Sequence, residues 1–196
     1  MRPVAPRGCR PQSGPPAQCG GALVAVMLLL LVTMLMALAS LRTANLEERM
    51  AGHTRDRQVA FQLAEAALRD AEQTIATDVD GPFKPLRPGL FTAACTAGLC
   101  GSAPDAPLWP SFTDADWAST KTWAYGAATG APAIPGGALA PRFAVEYQGT
   151  LQPIEPGKPC IALFLLTVRG RGVSNATDVV LQSVYRHRVG ECYAAI

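Results

Sequence analysis

Four cysteines lie in the part of the chain that follows an apolar run near the N-terminus: Cys95, Cys100, Cys160 and Cys192. Thiols in this number can form disulfides in an exported domain or bind zinc. An even count favours two disulfides, with three possible pairings. We expect Cys95–Cys100, which would close the short CTAGLC loop, and Cys160–Cys192, which would attach the C-terminal tail to a sheet. Zinc is the alternative, and the lack of paired C-x-x-C motifs argues against it.

The other chemically capable side chains form no catalytic pattern. His53 follows the apolar run and His187 lies near the end of an expected strand, so we expect surface or packing roles for both. Asp114 and Asp116 could be a carboxylate pair or calcium ligands, but D-x-D alone is a weak signal, and helix capping is the simpler reading. The sequence has neither a Gly-rich phosphate loop nor a G-x-S-x-G nucleophile motif. We therefore expect no catalytic residues, no metal and no cofactor, and a protein that is not an enzyme.

An apolar run from Gly21 to Leu41 decides on which side of a membrane these cysteines lie. As a helix, its roughly 21 residues would be about 30 Å long, enough to cross a hydrocarbon core. Three arginines precede the run and the first acidic residue, Glu47, follows it. This asymmetry predicts a cytoplasmic N-terminus and a periplasmic or extracellular bulk.

Three treatments of the run are compatible with its composition. A secretory signal peptide would be cut after it, and Ala37-Leu38-Ala39 supplies a small-x-small site. A plain anchor would never be cut. A prepilin-type signal would be cut before the run, at a glycine, and would leave the apolar helix on the mature protein. The run is longer than the usual signal-peptide core, which counts against the first treatment.

Charge excludes one class of partner. The chain carries 17 Lys and Arg against 15 Asp and Glu, and three of the arginines lie within the Pro-rich residues 1–20. The remainder has no basic footprint of the kind that nucleic-acid binding requires. We expect no nucleic-acid partner.

Residues 42–77 predict an amphipathic helix that continues the apolar run. Gly81 and Pro82 predict its end, and Gly52 is a candidate point of local unwinding. The two halves together predict one nearly continuous helix of about 55 residues. A membrane anchor followed by a coiled-coil stalk is the alternative interpretation. The apolar stripe of the second half recurs at spacings of three and four and consists of Phe61, Ala64, Leu68, Ala71 and Ile75.

The rest of the chain predicts loops and then strands. Residues 78–140 are rich in Pro and Gly, with one short helical turn expected in FTDADWAST. Trp109, Trp117 and Trp123 are expected to fill a small core, with a partner-contact patch as the alternative. Residues 141–196 contain the strand patterns RFAVEYQ, CIALFLLTVRG and TDVVLQSVYRHRV. Such strands need a cover for one face, and the helix stripe is available. The expected fold is α+β, a long helix packed on a small antiparallel sheet of about three or more strands.

A family resemblance covers residues 20–72. The stretch GGALVAVMLLLLVTMLMALASLRTANLEERMAGHTRDRQVAFQLAEAALRDAE resembles the N-terminal region of the PilX family, minor pilins of type IV pili. The segments LEERMAG and DRQVAFQLAEAALRDAE carry the resemblance most specifically. A weaker similarity continues in PRFAVEY, residues 141–147, and VVLQSVYR, residues 179–186. The fold that it implies is pilin-like.

The resemblance implies processing by a prepilin peptidase. Aligned on GGALV, the cut would follow Gly20 and leave Gly21 as the first residue, usually methylated; a cut after Gly21 is the alternative. Residues 1–20 would be the leader, residues 21–41 the transmembrane and fibre-core half of the helix. Major pilins carry a Glu at the fifth mature position, where this chain has Ala25. That absence is typical of PilX-like subunits, which act at the tip or in an initiation complex.

The resemblance also implies a function in assembly. Such a minor pilin waits in the inner membrane and then primes or caps the pilus by helix packing. Its partners would be other minor pilins, the pilus fibre, the prepilin peptidase and a PilY-class tip adhesin, and adhesion and twitching motility would follow. Two alternatives remain: a K-type pseudopilin of a type II secretion system, and an exported soluble domain with an ordinary signal peptide.

Overall fold

The computed structural model describes residues 19–78, 81–101, 108–152 and 158–190. The chain divides into two compact units, residues 1–50 and residues 51–196. The first α-helix, α1 (Cys19–Thr77), belongs to both units. It is 59 residues long and passes through Gly52 as helix, so the structure does not unwind at that glycine.

In the first unit, every side chain of α1 from residue 21 to residue 50 is exposed. The helix is long and apolar enough to cross a membrane. Its polar side chains bond to their own backbone: the Thr33 hydroxyl donates to the carbonyl oxygen of Leu30 at 2.9 Å, and Ser40 donates to Met36 at 3.0 Å. Because a hydrocarbon environment offers no other acceptor, such internal bonds allow these hydroxyls to enter it.

In the second unit, α1 packs on a mixed sheet of five strands. The strands are β1 (Leu99–Gly101), β2 (Trp123–Ala124), β3 (Arg142–Leu151), β4 (Cys160–Arg171) and β5 (Asp178–Val189). The order is β1-β3-β4-β5, and β2 pairs with β3 beside β1. The α+β fold with a long helix and at least three strands is confirmed.

The expected antiparallel sheet is present, and one parallel pair of strands is added to it. The three long strands are antiparallel, but β1 is parallel to β3, with Leu99 opposite Val145. The strands β1 and β2 are three and two residues long and lie in the segment expected to be loop. Strands this short carry no alternating pattern, so their pairing follows from the long strand β3 rather than from local sequence.

Short helices occupy part of the same segment. Two 3-10 turns, Pro88–Leu90 and Trp109–Ser111, flank β1, and a second α-helix, α2, spans Asp114–Ala118. The predicted turn in FTDADWAST is therefore confirmed. Its cap is Thr113: this hydroxyl accepts from the Asp116 N–H at 3.2 Å, and the Asp116 carboxylate accepts from the Thr113 N–H at 2.8 Å.

The main core lies between α1 and one face of the sheet. Phe164 of β4 is fully buried at its centre, and its ring contacts three other aromatic rings, those of Phe83, Phe91 and Tyr147, at centroid distances of 5.4 to 5.8 Å. Such tilted and edge-on pairs are favourable ring geometries. Of the three tryptophans expected to fill a small core, Trp123 packs against this one, whereas Trp117 packs against Phe112 and Arg169.

Candidate functional site

The residues considered for catalysis have separate structural roles. His53 is exposed on α1, and the ring of His187 on β5 stacks on Tyr185 at 6.5 Å. Burial lowers the pKa of His187, and the positive charge of Lys84 lowers it further. Asp116 caps α2 and pairs with Lys121 at 2.6 Å, whereas Asp114 pairs with arginines of β4. Among the described residues, no three His, Cys, Asp or Glu side chains form a group that could hold a metal ion.

The largest chemical feature is the exposed apolar surface of α1. From Leu23 to Leu46 its large apolar side chains are 47 to 66% exposed. Apolar area of this extent is unfavourable in water, since removing each Å² of apolar surface from water contributes about 25 cal/mol of favourable free energy. The surface therefore requires a hydrocarbon environment or other apolar helices. Ala25, at the position where major pilins carry a carboxylate, is exposed on it.

The face of α1 that packs on the sheet differs from the predicted stripe. Of the five stripe residues, Ala64, Ala71 and Ile75 are buried, Leu68 is half-buried and Phe61 is 47% exposed. The buried face is shifted around the helix and includes Ala60, Leu63 and Ala67 in addition. Small alanines let the sheet approach closely, and that approach selects the face.

Two aspartates that the sequence analysis did not single out fasten α1 to the globular part. Asp70 is 4% exposed and accepts hydrogen bonds from the Gly126 N–H at 2.7 Å and from the Thr129 hydroxyl. Asp56 accepts from the Ser174 hydroxyl at 2.6 Å and from the backbone of the turn between β4 and β5. These bonds lower the pKa of Asp56 to about 2. Their signal in the sequence is only a polar residue beside an apolar stripe.

The cysteines form a small second core. Cys95 and Cys100 are joined by a disulfide, and both are buried against Ala144 on the outer face of β3. Leu108 and Phe112 complete this cluster. Cys160 is buried at the start of β4, but Cys192 lies outside the described residues, so their pairing stays a prediction.

The processing site is only partly described. The helix α1 begins at Cys19, so Gly20 and Gly21 are both helical. Residues 1–18 of the expected leader lie outside the described residues, and the cleavage position stays a prediction.

Comparison with known proteins gives two family matches. A model of the PilX N-terminal region matches residues 20–69. A model of the C-terminal part of the type IV pilus assembly protein PilX matches residues 95–187. No characterised protein and no solved structure showed a significant match to the chain.

Proposed function

Because this chain belongs to the PilX family of type IV pilus assembly proteins, we propose that it is a minor pilin that primes or caps the pilus by helix packing. The observation that carries the proposal is the exposed apolar half of α1. As a single-pass helix it is held in the inner membrane before assembly and then packs among the apolar helices of other subunits. The work of the protein is structural, without a catalytic step.

The orientation and processing follow from the same helix. The basic residues 1–20 stay in the cytoplasm, and the prepilin peptidase cuts after Gly20. The mature chain begins at Gly21, methylated, and carries residues 51–196 in the periplasm. It is then incorporated at or near the pilus tip.

The absence of a carboxylate at Ala25 supports a place at the tip. In the apolar interior of a fibre, a carboxylate at this position can neutralise the N-terminal ammonium of a neighbour, because unpaired charges are costly there. This helix presents no acidic residue before Glu47. It therefore cannot supply that pairing in every repeat of a fibre, whereas a subunit used once does not need to.

The second half of α1 offers a candidate contact with the next subunit. Phe61 is exposed among Thr54, Arg57, Gln58 and Gln62, on the helix face that does not pack on the sheet. An exposed aromatic residue in a polar surround is a common anchor in protein interfaces. We assign it to packing against another minor pilin. A PilY-class adhesin is a further partner, and adhesion and twitching motility are the expected outcomes.

The family match favours the pilus over a type II secretion system, because the match to residues 95–187 is to a pilus assembly protein. The experiment that tests the function determines the N-terminus of the mature protein by intact mass and terminal sequencing, with and without the prepilin peptidase. A peptidase-dependent start at Gly21 supports a prepilin. A start near Ser40 contradicts the proposal, since the helix would then be lost.

A matched pair of variants tests the contact. Phe61→Asp should abolish co-purification with the other minor pilins while leaving processing intact. Leu90→Asp is the control, because Leu90 is exposed to a similar extent, 45% against 47%, but belongs to the 3-10 turn Pro88–Leu90 and not to α1. Equal loss with both variants would refute a specific role for Phe61.

A further inference from the structure

Three arginines lie side by side on the outer face of the sheet, the face turned away from the main core. Arg169 and Arg171 alternate along β4, and Arg142 of β3 lies directly opposite Arg169 in the strand register. Like charges placed opposite each other in a sheet are destabilising. The side chains of Arg169 and Arg171 are nevertheless only 11% and 16% exposed, so their charges need compensation close by.

Two carboxylates supply that compensation, and they differ in exposure. Asp178 of β5 accepts from Arg171 Nε at 2.9 Å and also pairs with Arg169. One carboxylate oxygen of Asp114, at the start of α2, pairs with the guanidinium groups of both Arg169 and Arg171, at 2.7 Å each. The Asp114 side chain is nevertheless 74% exposed. Hydrogen bonds from Arg169 and Arg171 hold the pKa of Asp114 below its usual value, so it stays ionised.

The third arginine has neutral partners. Arg142 donates to the Thr122 hydroxyl at 2.7 Å and to the carbonyl oxygens of Ser119 and Thr122 at 2.8 and 2.7 Å. Within the described ranges, no carboxylate pairs with it. Counted over the residues that the structure describes, three guanidinium groups therefore face two carboxylates, an excess of one positive charge.

The three arginines and Asp114 line a cavity of about 310 Å³, which we call the arginine pocket. Apolar side chains form its other walls: Trp117 and Ala118 of α2, with Leu139 and Ala140 before β3. Arg169 lies over the Trp117 ring, 5.7 Å from the ring centroid, an arrangement that holds the guanidinium in place. The wall of the pocket thus contains the fixed cations of Arg169 and Arg171 and has an apolar side. Asp114 is the exposed carboxylate that pairs with those cations.

We propose that the arginine pocket docks an acidic peptide segment of a partner protein, whose carboxylate takes the place of Asp114 on Arg169 and Arg171. Paired arginines bind carboxylates with matched geometry, and the excess positive charge favours an incoming anion. The volume is at the lower end of ligand pockets, which suits one acidic side chain with an apolar neighbour. This site is separate from the α1 surface, so it does not depend on helix packing.

The test uses the full chain in detergent micelles and the peptide N-acetyl-Leu-Glu-Leu-amide. The readout is the NMR signal of the Trp117 indole N–H, identified with Trp117→Phe. The Gln peptide, equal in shape but neutral, should bind about tenfold more weakly, the factor expected for one charge-assisted hydrogen bond. Equal binding of the two peptides would overturn the proposal.

Variants of the pocket have opposite expected signs. Asp114→Asn removes the competing carboxylate and should strengthen binding of the Glu peptide about tenfold, whereas Arg171→Gln should weaken it about tenfold. Arg186→Gln removes an exposed charge on β5 outside the pocket and should leave affinity unchanged. Because Asp114 is exposed, Asp114→Asn should fold normally, and unchanged affinity in that variant refutes the exchange of carboxylates even if Arg171→Gln does not fold.

Two further probes identify the source of the carboxylate. N-acetyl-Leu-Gln-Leu with a free C-terminus should bind about tenfold more weakly than the Glu peptide if a side chain is recognised. Equal binding would show recognition of a chain end, which keeps the peptide partner. Sodium acetate that binds as tightly as the Glu peptide would overturn the peptide partner, because the apolar wall would then contribute nothing.

Discussion

Gly170 of β4 lies directly against Ala60 of α1. A Cβ at position 170 would lie 2.6 Å from the backbone nitrogen of Ala64 and closer still to the carbonyl oxygen of Ala60. Both neighbours are backbone atoms of a helix, so neither can turn aside. This approach brings helix and sheet together and selects the alanine-rich face of α1 for burial.

Replacing Gly170 by Ala should therefore destabilise the fold by about 1 to 3 kcal/mol, the usual cost of overpacking. Thermal or chemical unfolding measures the loss. Gly52→Ala is the matched control, because Gly52 lies in α1 and a Cβ there meets no atom within 4 Å apart from the helix's own nearby backbone. That variant should be neutral or stabilised by up to about 1 kcal/mol, since Ala is the better helix former. Comparable losses in both variants would contradict the close approach.

Removing the Asp70 carboxylate should also weaken the fold. Asp70→Ala leaves the Gly126 N–H and the Thr129 hydroxyl without their acceptor, a side chain that is itself only 4% exposed. The expected loss is about 1 to 3 kcal/mol in the free energy of unfolding. Glu65→Ala on the same helix is the control, because its pair with Arg69 is long, 3.7 Å, and exposed. That change should stay within about 0.5 kcal/mol.

Asp56 predicts a specific pH dependence. Its folded pKa is about 2 against the ordinary 3.8, lowered first by the Ser174 hydroxyl. A depressed pKa means that the ionised form stabilises the fold, so its contribution is complete above pH 3.8 and is lost as the pH falls towards 2. The difference in Tm between the wild type and Asp56→Asn should be largest at neutral pH and shrink across this window. A difference that stays constant down to pH 2 would exclude this carboxylate as its source.

The disulfide predicts a loss of stability on its removal. The double variant Cys95→Ser and Cys100→Ser opens a short loop, which should cost about 2 kcal/mol on the loop-entropy estimate. Denaturant unfolding of the oxidised proteins measures it. A peptide map without reduction should link Cys95 to Cys100 and Cys160 to Cys192. Any peptide joining Cys160 to Cys95 or Cys100 would contradict both pairings.

The leader predicts a difference between two adjacent glycines. Gly20→Val should block cleavage by the prepilin peptidase, because Gly20 is the residue expected before the cut, whereas Gly21→Val should still be cleaved. Intact mass of the membrane-extracted chain distinguishes the precursor from the product. If Gly21 proved to be the sensitive residue, the cut would lie one position later, after Gly21.

Local sequence determined the elements with strong periodic signals. The apolar run and the spacing of Ala64, Ala71 and Ile75 predict α1, and alternation of side chains predicts the three long strands. The family resemblance also rests mainly on α1, because the residues that carry it are contiguous in the sequence. Such features are readable since helices and long strands repeat within a few residues.

Only the tertiary structure decided which groups meet across long separations. Phe61 belongs to the predicted stripe and Leu63 does not, yet the contact between Gly170 and Ala60 leaves Leu63 buried and Phe61 exposed. The parallel pairing of β1, the bond from Gly126 to Asp70 and the meeting of Asp114 with Arg169 and Arg171 likewise join distant segments. No local repeat encodes these contacts, because they depend on how closely two packed elements can approach.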